Sequence, residues 1–169
     1  VGFGGYLQKD DMEFFPLSAQ ELVIITPKQH PLAGIREVAL AELNHYPVIG
    51  YEKESWMGTY AKHLYKKYQV SPNMIVECPD EYSIVSLVRE NFGIALMPRT
   101  DILEQAVGIN IHSLKGLEIY RQVFMFWMKD RYRLPAVERF IEYMKTQQDE
   151  DANDTENVSK IYLKDIVNF

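Results

Sequence analysis

Residues 21–33 have the sequence Glu-Leu-Val-Ile-Ile-Thr-Pro-Lys-Gln-His-Pro-Leu-Ala. The uninterrupted apolar run Leu22–Ile25 is rich in β-branched side chains and is typical of a strand that is buried on both faces. Pro27 closes the run because proline cannot donate to a sheet ladder. The stretch therefore predicts a buried strand over Glu21–Thr26.

Further short apolar runs and helical patterns alternate along the rest of the chain. Strands are predicted over residues 1–6, 47–51, 74–77, 93–97, 109–112 and 122–128. Helical spacing is found in three apolar sets: Tyr60, Leu64 and Tyr68; Ile84, Val85, Leu87 and Val88 after Asp80; Val137, Phe140, Ile141 and Met144 after Pro135. This alternation predicts an α/β fold with mostly parallel sheets flanked by helices.

Length and charge limit the classes of function. A chain of 169 residues that is 47% hydrophobic can bury a core as one domain or two small lobes. The 18 lysines and arginines are scattered among 24 acidic residues, so a clustered cationic surface for DNA is not expected. Residues 149–169 hold six of the acids and predict an acidic flexible tail with a short apolar terminal segment.

Cysteine content and hydropathy bear on the compartment. Cys78 is the only cysteine, which excludes an internal disulfide and fits a reducing environment. No apolar run reaches the roughly 20 residues needed to cross a bilayer, and the first residues lack the pattern of a signal peptide. Because Val1 begins within a predicted strand, we expect that an upstream segment is absent.

Three segments together resemble the effector-binding domain of LysR-type bacterial transcription regulators. Residues 21–33 resemble the crossover strand and His-Pro-Leu-Ala turn of that family. Residues 86–98, Ser-Leu-Val-Arg-Glu-Asn-Phe-Gly-Ile-Ala-Leu-Met-Pro, resemble its helix, glycine turn, strand and proline, although Asn91 stands where a glycine is more usual. Residues 120–127 and 134–144 resemble its returning strand and final helix, so the resemblance extends from Val1 to about Lys145.

The resemblance implies a two-lobed fold of the type 2 periplasmic-binding-protein class with an incomplete first lobe. Residues 1–25 and 123–148 would form lobe I, and residues 26–122 would form lobe II. It also implies a cytoplasmic regulator that senses a small molecule, commonly a carboxylate or other anion, and forms a homodimer or tetramer. DNA would be bound only by a helix-turn-helix domain that precedes Val1.

Loops at the carboxyl ends of the strands are the predicted effector site, because helix N-termini converge there and favour anions. The predicted effector-binding residues are Gly5, Tyr6, Tyr51, Ser55, Trp56, Met57, Glu81 and Tyr82. Ser55 has a second interpretation as a helix cap and Trp56 as a core residue, and we weigh the two interpretations about equally. Asp80 is expected to cap its helix. For Gly5, a place in an ordinary turn is as good an interpretation as contact with an effector.

Other chemistries lack support in the sequence. The glycines near Val1 do not complete a dinucleotide-binding motif, and the four histidines are not at metal-ligand spacing with each other or with Cys78. We therefore expect no cofactor, no metal and no enzyme activity. The alternative function is a solute-binding protein of a transport system, which uses the same fold.

Overall fold

A computed structural model describes residues 1–6 and 9–151, and its contacts divide the chain into two units. Unit 1 comprises Val1–Gln20 and the chain from Tyr120 onward, and unit 2 comprises Glu21–Ile119. The chain therefore passes between the units twice, at 20/21 and at 119/120. These positions lie a few residues from the predicted lobe boundaries, and the assignment of lobes stays a prediction.

Unit 1 contains a sheet and one long helix. Strand β1 (Gly2–Gly4) pairs antiparallel with β8 (Tyr120–Met128), and β8 neighbours β2 (Met12–Pro27), which continues into unit 2. Helix α4 (Pro135–Asp151) packs on one face of β8 through Ile141, which contacts Met125 and Trp127 in a small apolar core.

Unit 2 is built from mixed sheets, three α-helices and one 3₁₀ helix. Its strands are the end of β2, β3 (Glu37–Val38), β4 (Pro47–Tyr51), β5 (Asn73–Cys78), β6 (Ala95–Pro98) and β7 (Ile109–Leu114). Its helices are a 3₁₀ helix (Leu40–Asn44), α1 (Trp56–Lys67), α2 (Glu81–Arg89) and α3 (Asp101–Gln105). Strands β4 and β5 are parallel, as are β3 and β7, whereas β2 pairs antiparallel with β6 and β7.

The core of unit 2 forms around β2. Leu22–Ile25 are completely buried between β6 and β7, as the apolar run predicted. Asn91, which stands where a glycine is more usual, adopts φ 64°, the left-handed conformation that glycine or asparagine commonly takes just after a helix. A Cβ at Gly93 would lie 2.5 Å from the carbonyl oxygen of Pro47, so the turn needs glycine where it approaches β4.

A buried polar cluster holds the turn that follows β2. His112 is 1% exposed, and its Nδ1 donates to the carbonyl oxygen of Ile35 over 2.6 Å. Because the carbonyl can only accept, Nδ1 carries the proton, and Nε2 is hydrogen-bonded to the Thr26 hydroxyl over 2.9 Å. The amide nitrogen of Asn110 donates to the carbonyl oxygen of Pro27. These hydrogen bonds attach the end of β2 and the turn that follows it to strand β7.

The strand and helix pattern is largely as predicted, with three kinds of difference. Strand β2 begins at Met12 instead of Glu21. The sequence did not predict residues 12–20 as part of the strand because they alternate in burial around Pro16 and do not form an apolar run. The short elements β3, α3 and the 3₁₀ helix were not predicted. Helix α4 continues to Asp151, into the predicted tail, and the rest of that tail lies outside the described residues. None of the helices in the described part is long and apolar enough to span a membrane.

Candidate functional site

The predicted site residues of unit 2 lie at one edge of the β4–β5 sheet. The two strands are parallel and end in register, with Tyr51 opposite Cys78. Strand β4 leads into α1 and β5 leads into α2, so both helices begin at the edge where the strands end. This edge is where open α/β sheets bind ligands.

Ser55 caps α1. Its Oγ accepts from the N–H of Gly58 over 2.9 Å and donates to the carbonyl oxygen of Glu52 over 2.7 Å. The hydroxyl of Thr59 adds a bond to the carbonyl oxygen of Lys53. Of the two interpretations of Ser55, the cap is therefore observed, while contact with an effector stays a prediction.

Gly58 lets the loop fold tightly against the first turn of α1. A Cβ at this position would lie 2.0 Å from the carbonyl oxygen of Glu52, a distance that no side chain tolerates. The loop thus depends on glycine for close approach, although this residue has helical backbone and needs no positive φ.

The first residues of α1 divide between surface and core. Trp56 is half-buried and stacks on Tyr60, with ring centroids 5.2 Å apart and an interplanar angle of 19°. The spacing of four residues places both rings on one face of the helix. Met57 is 5% exposed and belongs to the core, so any contact it makes with an effector would come from its backbone.

Asp80 caps α2, as expected. Its carboxylate accepts from both the N–H and the hydroxyl of Ser83, over 2.8 and 3.0 Å. The backbone and side-chain hydrogen bonds from Ser83 stabilise the carboxylate and lower the pKa of Asp80. The N-terminus of α2 therefore already holds a negative charge, whereas α1 has a neutral cap and no acid in its first turn.

Two contacts join the loop after β4 to the β5–α2 segment. The Tyr51 hydroxyl donates to Glu81 Oε1 over 3.3 Å, and Lys53 Nζ lies 2.9 Å from Glu77 Oε1. The hydrogen bond with Glu77, together with its charge, raises the pKa of Lys53. Tyr82, next to Glu81, is 70% exposed.

Cys78 lies at the end of β5 and is a buried free thiol. Burial is the largest cause that raises the pKa of the Cys78 thiol, and the negative charges of Asp80 and Glu52 raise it further. Such surroundings disfavour the thiolate that oxidation and metal binding require. Within the described residues, no group of three or more histidine, cysteine and acidic side chains is arranged to hold a metal ion.

The remaining predicted site residues, Gly5 and Tyr6, lie in unit 1 just after β1. The ring of Tyr6 packs on Phe14 and Phe124, with centroids 4.8 and 5.7 Å away. The structure thus groups Tyr51, Ser55, Trp56, Met57, Glu81 and Tyr82 in one unit and places Gly5 and Tyr6 in the other.

The prediction did not include Tyr60 or the Lys53–Glu77 pair among the site residues. Tyr60 was assigned to the helical pattern, but its spacing from Trp56 would have revealed the stack. The ion pair joins the loop after β4 to strand β5, and no local pattern in the sequence indicates it.

A family model described as the LysR substrate binding domain matches residues 2–149, which is most of the chain. The chain belongs to the LysR substrate-binding domain family. The recognition made from the three sequence segments is thereby confirmed.

Individual LysR relatives agree with this assignment. The HTH-type transcriptional regulator CysL of Bacillus subtilis is 22% identical over 147 residues, covering 76% of this chain and 49% of CysL. The chain spans about half the length of the curated relatives it matches. These relatives are HTH-type transcriptional regulators.

Solved LysR structures confirm the two-lobed type 2 periplasmic-binding-protein-like fold. The effector binding domain of QuiR in complex with shikimate has a TM-score of 0.78 at 24% identity, covering 84% of this chain and 68% of that one. The regulatory domain of Synechocystis PCC6803 CcmR in complex with 2-PG has a TM-score of 0.75 at 19% identity, covering 84% and 70%. At these identities the similarity shows the fold alone.

Proposed function

We propose that this chain is the effector-sensing part of a bacterial LysR-type transcription regulator. A small anionic molecule binds in the cleft between the two lobes and alters how a helix-turn-helix domain, outside this sequence, binds DNA. The observation that carries the proposal is the family match over residues 2–149, together with effector complexes among the structural neighbours. The protein is cytoplasmic, works as a homo-oligomer and has no enzyme activity of its own.

On the unit 2 side, the proposed contacts come from the edge where β4 and β5 end. The N-terminus of α1 has a neutral serine cap and no acidic residue in its first turn, so its partial positive charge favours the acid group of an effector. The Trp56–Tyr60 stack supplies a rigid aromatic wall beside it. At α2, Asp80 and Glu81 present carboxylates that suit the hydroxyl or amine groups of the same effector. Tyr82 of α2 and Gly5 and Tyr6 of unit 1 complete the proposed set.

The regulatory step follows from differential affinity. An effector shifts the protein toward a conformation only by binding that conformation more tightly than the other. A change in the angle between the lobes would alter how paired subunits present their DNA-binding domains. The family match to regulators favours this function over the solute-binding alternative.

The test uses titration calorimetry of the purified full chain against shikimate, 2-PG and a panel of other small carboxylates. Trp56→Ala should weaken the binding of a responding compound at least tenfold, because the aromatic wall is lost. Ser55→Ala should weaken it as well, and Ser55→Asn, which keeps a cap acceptor, separates loss of contact from loss of the cap.

Two exposed positions outside the site provide matched controls: Ser86→Ala on α2 and Tyr132→Ala, where the side chain is highly exposed. Both should leave affinity unchanged. Equal affinity in the parent and in the Ser55 and Trp56 variants would remove this loop from the site. A panel without any binding compound would contradict the sensing function.

A further inference from the structure

The two segments in which the chain passes between the units are hydrogen-bonded to each other, at one place within unit 1 and at one place within unit 2. Gln20 and Arg121 lie on the unit 1 side of the two crossings. On the unit 2 side, the N–H of Leu22 donates to the carbonyl oxygen of Ile119 over 2.7 Å. The two crossing segments, 20–22 and 119–121, are therefore joined to each other on both sides of the unit boundary.

On the unit 1 side, the guanidinium of Arg121 makes two hydrogen bonds to one side-chain oxygen of Gln20. Nε of Arg121 donates to Gln20 Oε1 over 2.9 Å, and Nη2 of Arg121 donates to the same oxygen. Only the amide oxygen accepts from a guanidinium, so chemistry fixes the orientation of the Gln20 amide. Both side chains are half-buried, and the charged donor makes these bonds stronger than hydrogen bonds between neutral groups.

The next residue, Glu21, is fastened to unit 2 instead. Its carbonyl oxygen accepts from the N–H of Arg99 over 2.7 Å, and its Oε2 lies 3.6 Å from Arg99 Nη1. Consecutive residues are thus held by different units. A change in the angle between the units would have to be taken up by the few backbone dihedrals between these anchors, as at other hinges.

We propose that Gln20 and Arg121 form a clamp that restricts the reorientation of the two units and so sets how readily the protein responds to an effector. The regulatory part of this inference rests on the proposed function; the restriction of motion does not. Gln20 and Arg121 are positioning residues, which act through the crossing segments and not through contact with the effector.

The first test is hydrogen exchange on the full chain without any ligand. Gln20→Leu removes the acceptor and should raise the exchange rate of the Leu22 amide about fivefold. Gln20→Glu turns the contact into an ion pair and should slow that exchange. The Ile49 amide, which donates to Ile94 in the core of unit 2, should not change in either variant.

Comparing the exchange rates of the Leu22 and Ile49 amides distinguishes a clamp at the unit boundary from a general contribution to stability. An equal rise at Leu22 and Ile49 in Gln20→Leu would show a merely structural role and overturn the proposal, as would unchanged exchange at Leu22. Gln105→Leu and Gln105→Glu, at the exposed end of α3, are the matched controls and should leave both amides unaffected.

The second test measures motion directly by single-molecule energy transfer. Dyes are attached to cysteines introduced at Lys62 in unit 2 and Glu142 in unit 1, both exposed, with Cys78 replaced by alanine. The distribution of inter-dye distances should broaden in Gln20→Leu and narrow in Gln20→Glu, and equal widths would overturn the clamp. Because neither measurement needs an effector, a failed search for effectors refutes the proposed function and leaves the clamp to be judged separately.

Discussion

The hydroxyl of Tyr51 donates to Oε1 of Glu81 over 3.3 Å and thereby joins the end of β4 to the first turn of α2. Tyr51 is 7% exposed, so the bond is made by a side chain that is otherwise packed in the core. It holds Glu81 at the edge of the sheet that we assign to the effector.

Replacing Tyr51 by phenylalanine tests this bond with little change in packing. We expect the free energy of unfolding to fall by about 1 kcal/mol, the usual net value of one hydrogen bond. The affinity for a responding effector should also fall, because Glu81 is no longer positioned. Urea denaturation and calorimetry measure the two effects. Tyr132→Phe, at a highly exposed ring, is the control; a loss of stability in it as large as in Tyr51→Phe would contradict this account.

Gly58→Ala tests the close packing of the loop before α1. The added Cβ would meet the carbonyl oxygen of Glu52 at 2.0 Å, so the loop must shift. We expect destabilisation of about 1–3 kcal/mol, as for other overpacked sites, despite the better helix propensity of alanine. Thermal unfolding measures it. Gly4→Ala is the control, since its Cβ would contact only the Phe126 ring at 3.6 Å, an ordinary distance.

Asp80 should make stability depend on pH in the acid range. Its hydrogen bonds from Ser83 lower its pKa in the folded state below the ordinary value of 3.8. The stabilisation is therefore complete above pH 3.8 and is lost as the pH falls toward the lowered pKa. Asp80→Asn keeps a cap acceptor but cannot titrate. Its unfolding free energy should fall less than that of the parent between pH 5 and 3, and identical pH profiles would refute the assignment.

His30 should also make stability fall as the pH decreases, but at higher pH than Asp80 and because burial disfavours its charged form. Burial lowers its pKa below 6.5, as does the nearby His112, while Glu42 opposes the shift. Below pH 6.5 the unfolded chain binds the proton more readily, so the stability falls as the pH decreases. His30→Gln should flatten the decline between pH 7 and 5, measured by urea denaturation. Glu42→Gln removes the opposing charge and should steepen it; a flatter profile in Glu42→Gln would exclude this explanation.

Local patterns in the sequence were sufficient to predict the main strands and helices of both units. Leu22–Ile25, the stripe on α2 and the caps Ser55, Asp80 and Asn91 all depend on residues within one or two turns of each other. The start of β2 at Met12 and the short β3 and α3 could not be predicted this way. Such segments are stabilised by neighbouring strands and not by an apolar period of their own.

The sequence by itself determined the fold class, the family and the loops that carry the predicted site, because burial and capping leave periodic, local marks in a chain. Only the tertiary structure decided which side chains meet across those loops. Tyr51 and Glu81 are 30 residues apart, and Gln20 and Arg121 are 101 residues apart. Their contacts depend on how the strands and the helices that follow them pack together, which the hydrophobic core sets as a whole and no single stretch of sequence records.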